Sequence, residues 1–113
     1  MALVDITYLS QVMFGDEEAI ADVIVNFLES TPSHCNKLKQ AIDNVDFSSI
    51  REIAHSLKTS LRIVGADKLS NWVKQIETNY TNLETVRVLY TDLIEYITTV
   101  YHELRLIIND YTK

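Results

Sequence analysis

Glycine and proline are nearly absent from this sequence, which has two Gly and one Pro among 113 residues. All-β folds need turn residues at every corner, and Gly and Pro supply the backbone angles that most turns require. Long helices with short connections need few such residues. The length suits one domain, which we expect to span residues 1–113. The sequence therefore predicts a single all-α domain.

The first helix is predicted to be short and to run from Asp5 to Phe14. Asp5 is a suitable N-cap because its carboxylate can accept a hydrogen bond from a free backbone N–H. Gly15 is expected to end the helix. Four apolar residues fall on one side of it: Ile6, Leu9, Val12 and Met13.

A second helical pattern begins at Asp16 and continues to Val45, although Pro32 interrupts it. Proline inside a helix removes a hydrogen bond and clashes with the preceding turn, at a cost of ~3 kcal/mol. The pattern is compatible with one kinked helix or with two helices that meet near Thr31–Pro32. Its apolar positions stay in phase across the proline: Ile20, Val23, Ile24, Phe27, Leu28, Cys35, Leu38, Ile42 and Val45.

Three further helices complete the chain. The third is predicted over Phe47–Val64, with Asp46 as its cap and Gly65 as its stop. The fourth starts at Asp67, and the last covers Glu84–Asp110. Their buried positions are predicted to be Leu69, Trp72, Val73, Ile76 and Tyr80, and then Val86, Leu89, Leu93, Ile97, Val100, Leu104 and Ile107. The expected fold is an antiparallel four-helix bundle with a short extra N-terminal helix at one end.

The third helix places His55 opposite its apolar face. At about 100° per residue, the apolar side chains lie roughly 160° to 240° away from His55; they are Ile50, Ile53, Leu57, Leu61 and Val64. Polar residues lie within roughly 60° of it; they are Ser48, Arg51, Glu52, Lys58, Thr59 and Arg62. The pattern predicts an exposed imidazole in a mostly cationic stripe. By pattern alone, a surface histidine with no role is the commoner interpretation.

The residues on either side of His55 give a more specific indication of function. Residues 54–60 read Ala-His-Ser-Leu-Lys-Thr-Ser, followed by Gly65-Ala66 and then Leu69. This stretch resembles the signature of histidine phosphotransfer (HPt) domains of two-component phosphorelays. Other matching segments cover nearly the whole chain: Phe14-Gly15-Asp16-Glu17-Glu18, Phe27-Leu28, Thr31-Pro32, Asp46 and Ile76-Glu77.

The resemblance implies that His55 accepts a phosphoryl group from an aspartyl phosphate and passes it to another aspartate. Lys58 would stabilise the phosphoryl charge, while Arg51, Thr59 and Arg62 would belong to the partner-docking surface. Met13 or Phe14 are apolar candidates for that surface, although core positions are the commoner reading for both, as for Trp72.

The implied partners are response-regulator receiver domains, including that of a hybrid sensor kinase, and the implied state is a monomer. The chain would be a phosphorelay intermediate and no enzyme, either free-standing or a domain of a larger kinase. We expect no cofactor, because the magnesium ion would sit on the receiver. We assign no metal or other role to His34, Cys35 or His102.

Charge and hydropathy limit other functions. Acids number 16 and bases 10, a net charge of −6, which argues against nucleic-acid binding through phosphates. No apolar run approaches ~18 residues and no signal-peptide pattern begins the chain, so we expect a cytoplasmic protein that does not bind membranes. Arg51 to Arg62 is locally positive, with three bases and one acid, or 3 − 1 = +2.

Thr59 departs from the family pattern, which usually has glycine directly after the lysine. Its hydroxyl is placed to bond the imidazole or a phosphoryl oxygen, and Glu52 either hydrogen-bonds His55 or is solvated. The departure motivates an alternative function, a degenerate HPt-like adaptor that docks receivers without accepting phosphate. A third hypothesis, an unrelated helical interaction domain, rests on the long apolar seam of the last helix.

Overall fold

The computed structural model describes residues 2–111, which form five helices and no strand. They are α1 (Thr7–Val12), α2 (Glu17–Asp43), α3 (Phe47–Ile63), α4 (Asp67–Thr78) and α5 (Leu83–Tyr111). Helices α2 to α5 form a ring of neighbours, in which α2 contacts α3 and α5, and α4 contacts α3 and α5. Short connections make successive helices antiparallel. The predicted all-α bundle with a short N-terminal helix is confirmed.

Helix α2 is continuous through Pro32, which decides between the two forms that the sequence left open. Asp16 caps its start by accepting a hydrogen bond from the backbone N–H of Ala19 at 3.2 Å. Pro32 is exposed, whereas Phe27 and Cys35 on either side of it are buried. The apolar stripe keeps its phase across the proline, so burial on both sides offsets the lost backbone hydrogen bond.

Two predicted apolar positions of the first half are wrong. Val45 lies beyond the end of α2, with φ +53° and 45% exposure, because the chain turns there towards α3. Val12 is 47% exposed, since α1 sits on the end of the bundle and buries only Leu9. Helix α1 is also shorter than predicted. Asp5 precedes it and accepts hydrogen bonds from the N–H and hydroxyl of Thr7, at 2.9 and 2.6 Å.

Hydrogen bonds donated by backbone N–H groups hold the segment before α1 against two other parts of the bundle. The Glu103 carboxylate of α5 accepts hydrogen bonds from the N–H groups of Leu3 and Val4 at 2.9 to 3.1 Å. The N–H of Asp5 donates to the carbonyl oxygen of Gly65, in the α3–α4 connection, at 3.1 Å. These contacts place α1 beside the carboxyl end of α3.

The second half of the chain follows its predicted pattern closely. The seam positions of α5 are buried from Val86 to Leu104, with Ile107 half-buried. In α4, Leu69, Val73 and Ile76 are buried. Trp72 is half-buried and packs against the core, its ring 5.5 Å from that of Tyr96. None of the helices within residues 2–111 is long and apolar enough to span a bilayer.

The two glycines provide a matched test of how the N-terminal segment is held. Both have positive φ, +72° at Gly15 and +82° at Gly65, but only a Cβ at Gly65 would overlap the carbonyl oxygen of Asp5. We expect Gly15→Ala to lower the free energy of unfolding by about 1 kcal/mol through backbone strain alone. Gly65→Ala should cost about 3 kcal/mol or more, because strain and overlap add. Urea denaturation of both variants measures this, and equal losses would contradict it.

Candidate functional site

The site is built on α3, whose two faces are sharply different. Asp46 caps the helix by accepting hydrogen bonds from the N–H and hydroxyl of Ser49, at 3.2 and 2.6 Å. The face of α3 that packs against the bundle carries four fully buried side chains, Ile50, Ala54, Leu57 and Leu61. Packing of that face fixes the rotation of the helix about its axis. His55 consequently points outward, with 67% of its side chain exposed, as the helical pattern predicts.

Glu77 of α4 links His55 to Lys58. One carboxylate oxygen, Oε2, lies 2.6 Å from Nδ1 of His55, and the other, Oε1, accepts a hydrogen bond from Nζ of Lys58 at 2.6 Å. The Glu77 side chain is only 20% exposed. One side chain from a neighbouring helix therefore orients two groups that lie one turn apart on α3.

The Glu77 contact selects which nitrogen of His55 carries the proton. An ionised carboxylate can only accept hydrogen bonds, so Nδ1 must be the donor. The hydrogen bond from Lys58 lowers the pKa of Glu77 below its ordinary value, and the bond from His55 acts in the same direction, while burial opposes both. In the neutral ring, Nε2 then keeps the lone pair with which an imidazole can act as a nucleophile.

Lys58 is engaged inside the protein. Its side chain is 25% exposed, and its ammonium group contacts Glu77. Its backbone is fixed as well, because the hydroxyl of the buried Ser70 in α4 donates to the Lys58 carbonyl oxygen at 2.9 Å. The Glu77 carboxylate therefore contacts both the ammonium group of Lys58 and Nδ1 of His55. The predicted role of Lys58, stabilisation of phosphoryl charge, stays a prediction.

An open groove of about 820 Å³ runs between α3 and the end of α4, and His55 lines one part of it. Arg51, Glu52 and Tyr80 line it too, with the guanidinium carbon of Arg51 5.7 Å from the Tyr80 ring centre. Within residues 2–111, Glu52 makes no hydrogen bond to His55; Glu77 occupies that role.

Arg62 lies apart from His55 in a second groove of about 650 Å³. This groove separates the end of α3 from α1, and Tyr8 and Gln11 line its far side. The predicted docking residues Arg51 and Arg62 therefore flank His55 in two different grooves. A partner that covers His55 and reaches both arginines must span both of them.

Thr59 turns its hydroxyl back onto its own helix. Its Oγ1 donates to the backbone carbonyl oxygen of His55 at 3.2 Å. The expectation that this hydroxyl bonds the imidazole is therefore wrong, because the hydroxyl donates to a backbone carbonyl oxygen one turn earlier; a bond to a phosphoryl oxygen stays a prediction. Thr59 stays exposed beside His55 and adds a methyl group to that surface.

Glu77 is the site residue that sequence reasoning missed. The sequence showed it only within the matching pair Ile76-Glu77, with no role attached. The sequence feature that could have indicated Glu77 is an acidic residue directly after the buried Ile76, on a helix that packs against α3. Just after α1, the two apolar docking candidates differ in exposure: Met13 is half-buried against the core, whereas Phe14 is 96% exposed.

Comparison with known proteins agrees with this geometry. The model of one protein family, the Hpt domain, matches residues 22–106. The matched region contains His55, Lys58 and Glu77 and all of helices α3 and α4. No curated protein matches the chain significantly, and no solved structure does so.

The bridge formed by Glu77 predicts a pH-dependent contribution to stability. Because its pKa is lowered on folding, ionised Glu77 stabilises the protein fully above 4.5, its ordinary pKa, and loses that contribution as pH falls through the lowered value. Glu77→Gln should therefore be less stable than wild type at pH 7, with a difference that shrinks in acid. Urea denaturation from pH 7 to pH 3 tests this.

Glu52→Gln is the matched control. Glu52 is exposed in the same groove, and this substitution removes one negative charge, as Glu77→Gln does. The stability difference between Glu52→Gln and wild type should be small at every pH. A loss at Glu77→Gln that stays constant down to pH 3 would contradict the ionised bridge.

Proposed function

The chain belongs to the Hpt domain family, and from that membership we propose that it relays phosphoryl groups between aspartates of receiver domains through a phosphohistidine at His55. Hpt domains are phosphocarrier modules of two-component signalling. The observation that carries the proposal is the Nδ1–Glu77 hydrogen bond, at 2.6 Å, on a histidine whose ring is otherwise exposed. It leaves a nucleophilic Nε2 facing outward, where a partner protein can reach it.

The geometry supports a transfer in which the imidazole proton stays in place. The Nε2 lone pair attacks the phosphorus of an aspartyl phosphate, a P–N bond forms, and the P–O bond breaks with its electron pair going to the aspartate carboxylate. Nδ1 keeps its proton, and the positive charge that develops on the ring lies beside ionised Glu77. Phosphoryl transfer depends mainly on positioning and charge stabilisation, which this arrangement supplies.

The second transfer is the reverse reaction with another aspartate. That carboxylate attacks phosphorus, the P–N bond breaks, and its electron pair returns to Nε2. The ring again becomes neutral with the proton on Nδ1. Because no proton has to enter or leave, the same Glu77 contact serves both directions.

We assign partner docking to the face that surrounds His55. The predicted docking residues Arg51, Thr59 and Arg62 are all exposed there. On α1, Tyr8 and Val12 are 55% and 47% exposed, which adds an apolar part next to the groove of Arg62. A receiver has an acidic phosphorylation pocket, so the cationic residues provide orientation and a faster encounter.

The remaining parts of the proposal follow from this role. The magnesium ion is supplied by the receiver, and a hybrid sensor kinase is one source of the donor receiver. We propose a cytoplasmic monomer. The adaptor alternative rests on Thr59, whose hydroxyl donates to the backbone carbonyl oxygen of His55, and labelling by a phosphorylated receiver domain distinguishes the two functions.

Replacing His55 tests the function directly. After incubation with a phosphorylated receiver domain, wild-type protein should carry acid-labile, base-stable phosphate, as expected for phosphohistidine. His55→Gln should lose this label, whereas His102→Gln, which alters an exposed histidine of α5, should keep it. Equal labelling of His55→Gln and wild type would overturn the proposal. Binding of the phosphorylated receiver by wild type without any labelling would indicate the adaptor instead.

A further inference from the structure

Two cationic side chains lie one helical turn from His55, Arg51 before it and Lys58 after it. We infer that Arg51 contacts the phosphoryl group carried on Nε2 of His55, whereas Lys58 acts through Glu77 as a positioning residue. The inference rests on the proposed function and adds a division of labour between the two cations. It departs from the role that the family resemblance implies for Lys58.

Lys58 is directed towards the wrong side of the imidazole ring. Its Nζ is held 2.6 Å from Oε1 of Glu77, and the same carboxylate holds Nδ1 of His55 through Oε2. Nε2 is the ring nitrogen that does not face Glu77. To reach a phosphoryl group there, the ammonium group of Lys58 would have to give up its charge-assisted hydrogen bond to Glu77, whose side chain is 20% exposed. Lys58 also does not line the groove into which His55 opens.

Arg51 lines that groove together with His55. It is exposed, and it makes no ion pair with any other residue between 2 and 111. Residues four apart on a helix have Cβ atoms about 5–6 Å apart. Helical side chains also lean towards the amino end, so the imidazole extends over the turn that carries Arg51. A guanidinium group can bind phosphoryl oxygens with two parallel hydrogen bonds.

Tyr80 gives the guanidinium a resting position in the groove, with its ring centre 5.7 Å from the guanidinium carbon. A cation–π contact at an exposed site is weaker than a charge-assisted pair with a phosphoryl dianion, so Arg51 can exchange one for the other. The groove also holds two carboxylates, Glu52 and Glu77. Glu77 is already paired with Lys58. Within the described part of the chain, Glu52 is therefore the carboxylate in the groove without a cationic partner, and Arg51 is the lysine or arginine among the lining residues that can offset its repulsion of a dianion.

The test uses phosphoramidate, which needs no receiver domain. Its phosphoryl group passes to Nε2 of His55 as the P–N bond of the reagent breaks and ammonia leaves. The 31P resonance of the phosphohistidine is then followed from pH 5 to pH 9. A cation at the phosphoryl group favours its dianion and lowers the pH midpoint of the titration. Removing that cation should raise the midpoint by about one pH unit.

Arg51→Gln should show this rise, and Arg51→Lys should restore part of the wild-type midpoint. Arg62→Gln is the matched control, because it removes the same charge from the same helix but lies in the other groove. Its midpoint should move much less. The double variant Lys58→Gln/Glu77→Gln removes a neutral ion pair, keeps a carbonyl acceptor for Nδ1, and should titrate near wild type.

Two results would overturn the inference. One is an Arg51→Gln midpoint that moves no more than that of Arg62→Gln. The other is a Lys58→Gln/Glu77→Gln midpoint that rises as far as the one expected for Arg51→Gln, since Lys58 would then be the contacting cation. Neither depends on a receiver, so failure of receiver-dependent labelling would contradict the proposed function while these titrations still decide the role of Arg51.

Discussion

The carboxylate of Glu77 is the group on which the arrangement of the site depends. It is shared between His55 and Lys58, and it can reach both only because α4 packs tightly along α3. That packing rests on apolar burial, on the Ser70 hydrogen bond to the Lys58 carbonyl oxygen and on the turn at Gly65. The contact between Glu77 and His55 therefore depends on the packing that stabilises the α3–α4 pair.

Glu77 also changes the electrostatics of the exposed face. The segment from Arg51 to Arg62 has a local charge of +2, and the nearby Glu77 reduces it to 2 − 1 = +1. Because the neutralised cation is Lys58, the free positive charge sits at the two ends, at Arg51 and Arg62. On a protein with a net charge of −6, these ends are where an acidic partner surface is attracted.

Much of the fold was predictable because the features that define a helix lie close together in the sequence. The caps at Asp16 and Asp46 and the apolar seams of α3 and α5 depend on residues within a few turns. The predictions of burial were wrong where the regular helical spacing ends. Val12 and Val45 have the right spacing but lie on a very short helix and in a turn, where burial is decided by neighbouring elements.

The all-helical class, the outward direction of His55 and the resemblance to a phosphotransfer family could all be predicted from the sequence. Each follows from local periodicity or from residues adjacent in the chain. Three features required the packed helices: α2 continues through Pro32, Glu77 contacts Nδ1 of His55, and Lys58 donates a hydrogen bond to Glu77. The physical reason is that Glu77 and His55 are 22 residues apart, and their contact depends on the register between two packed helices. Helical periodicity shows which face a residue occupies, but the residue that faces it across the interface is set by packing.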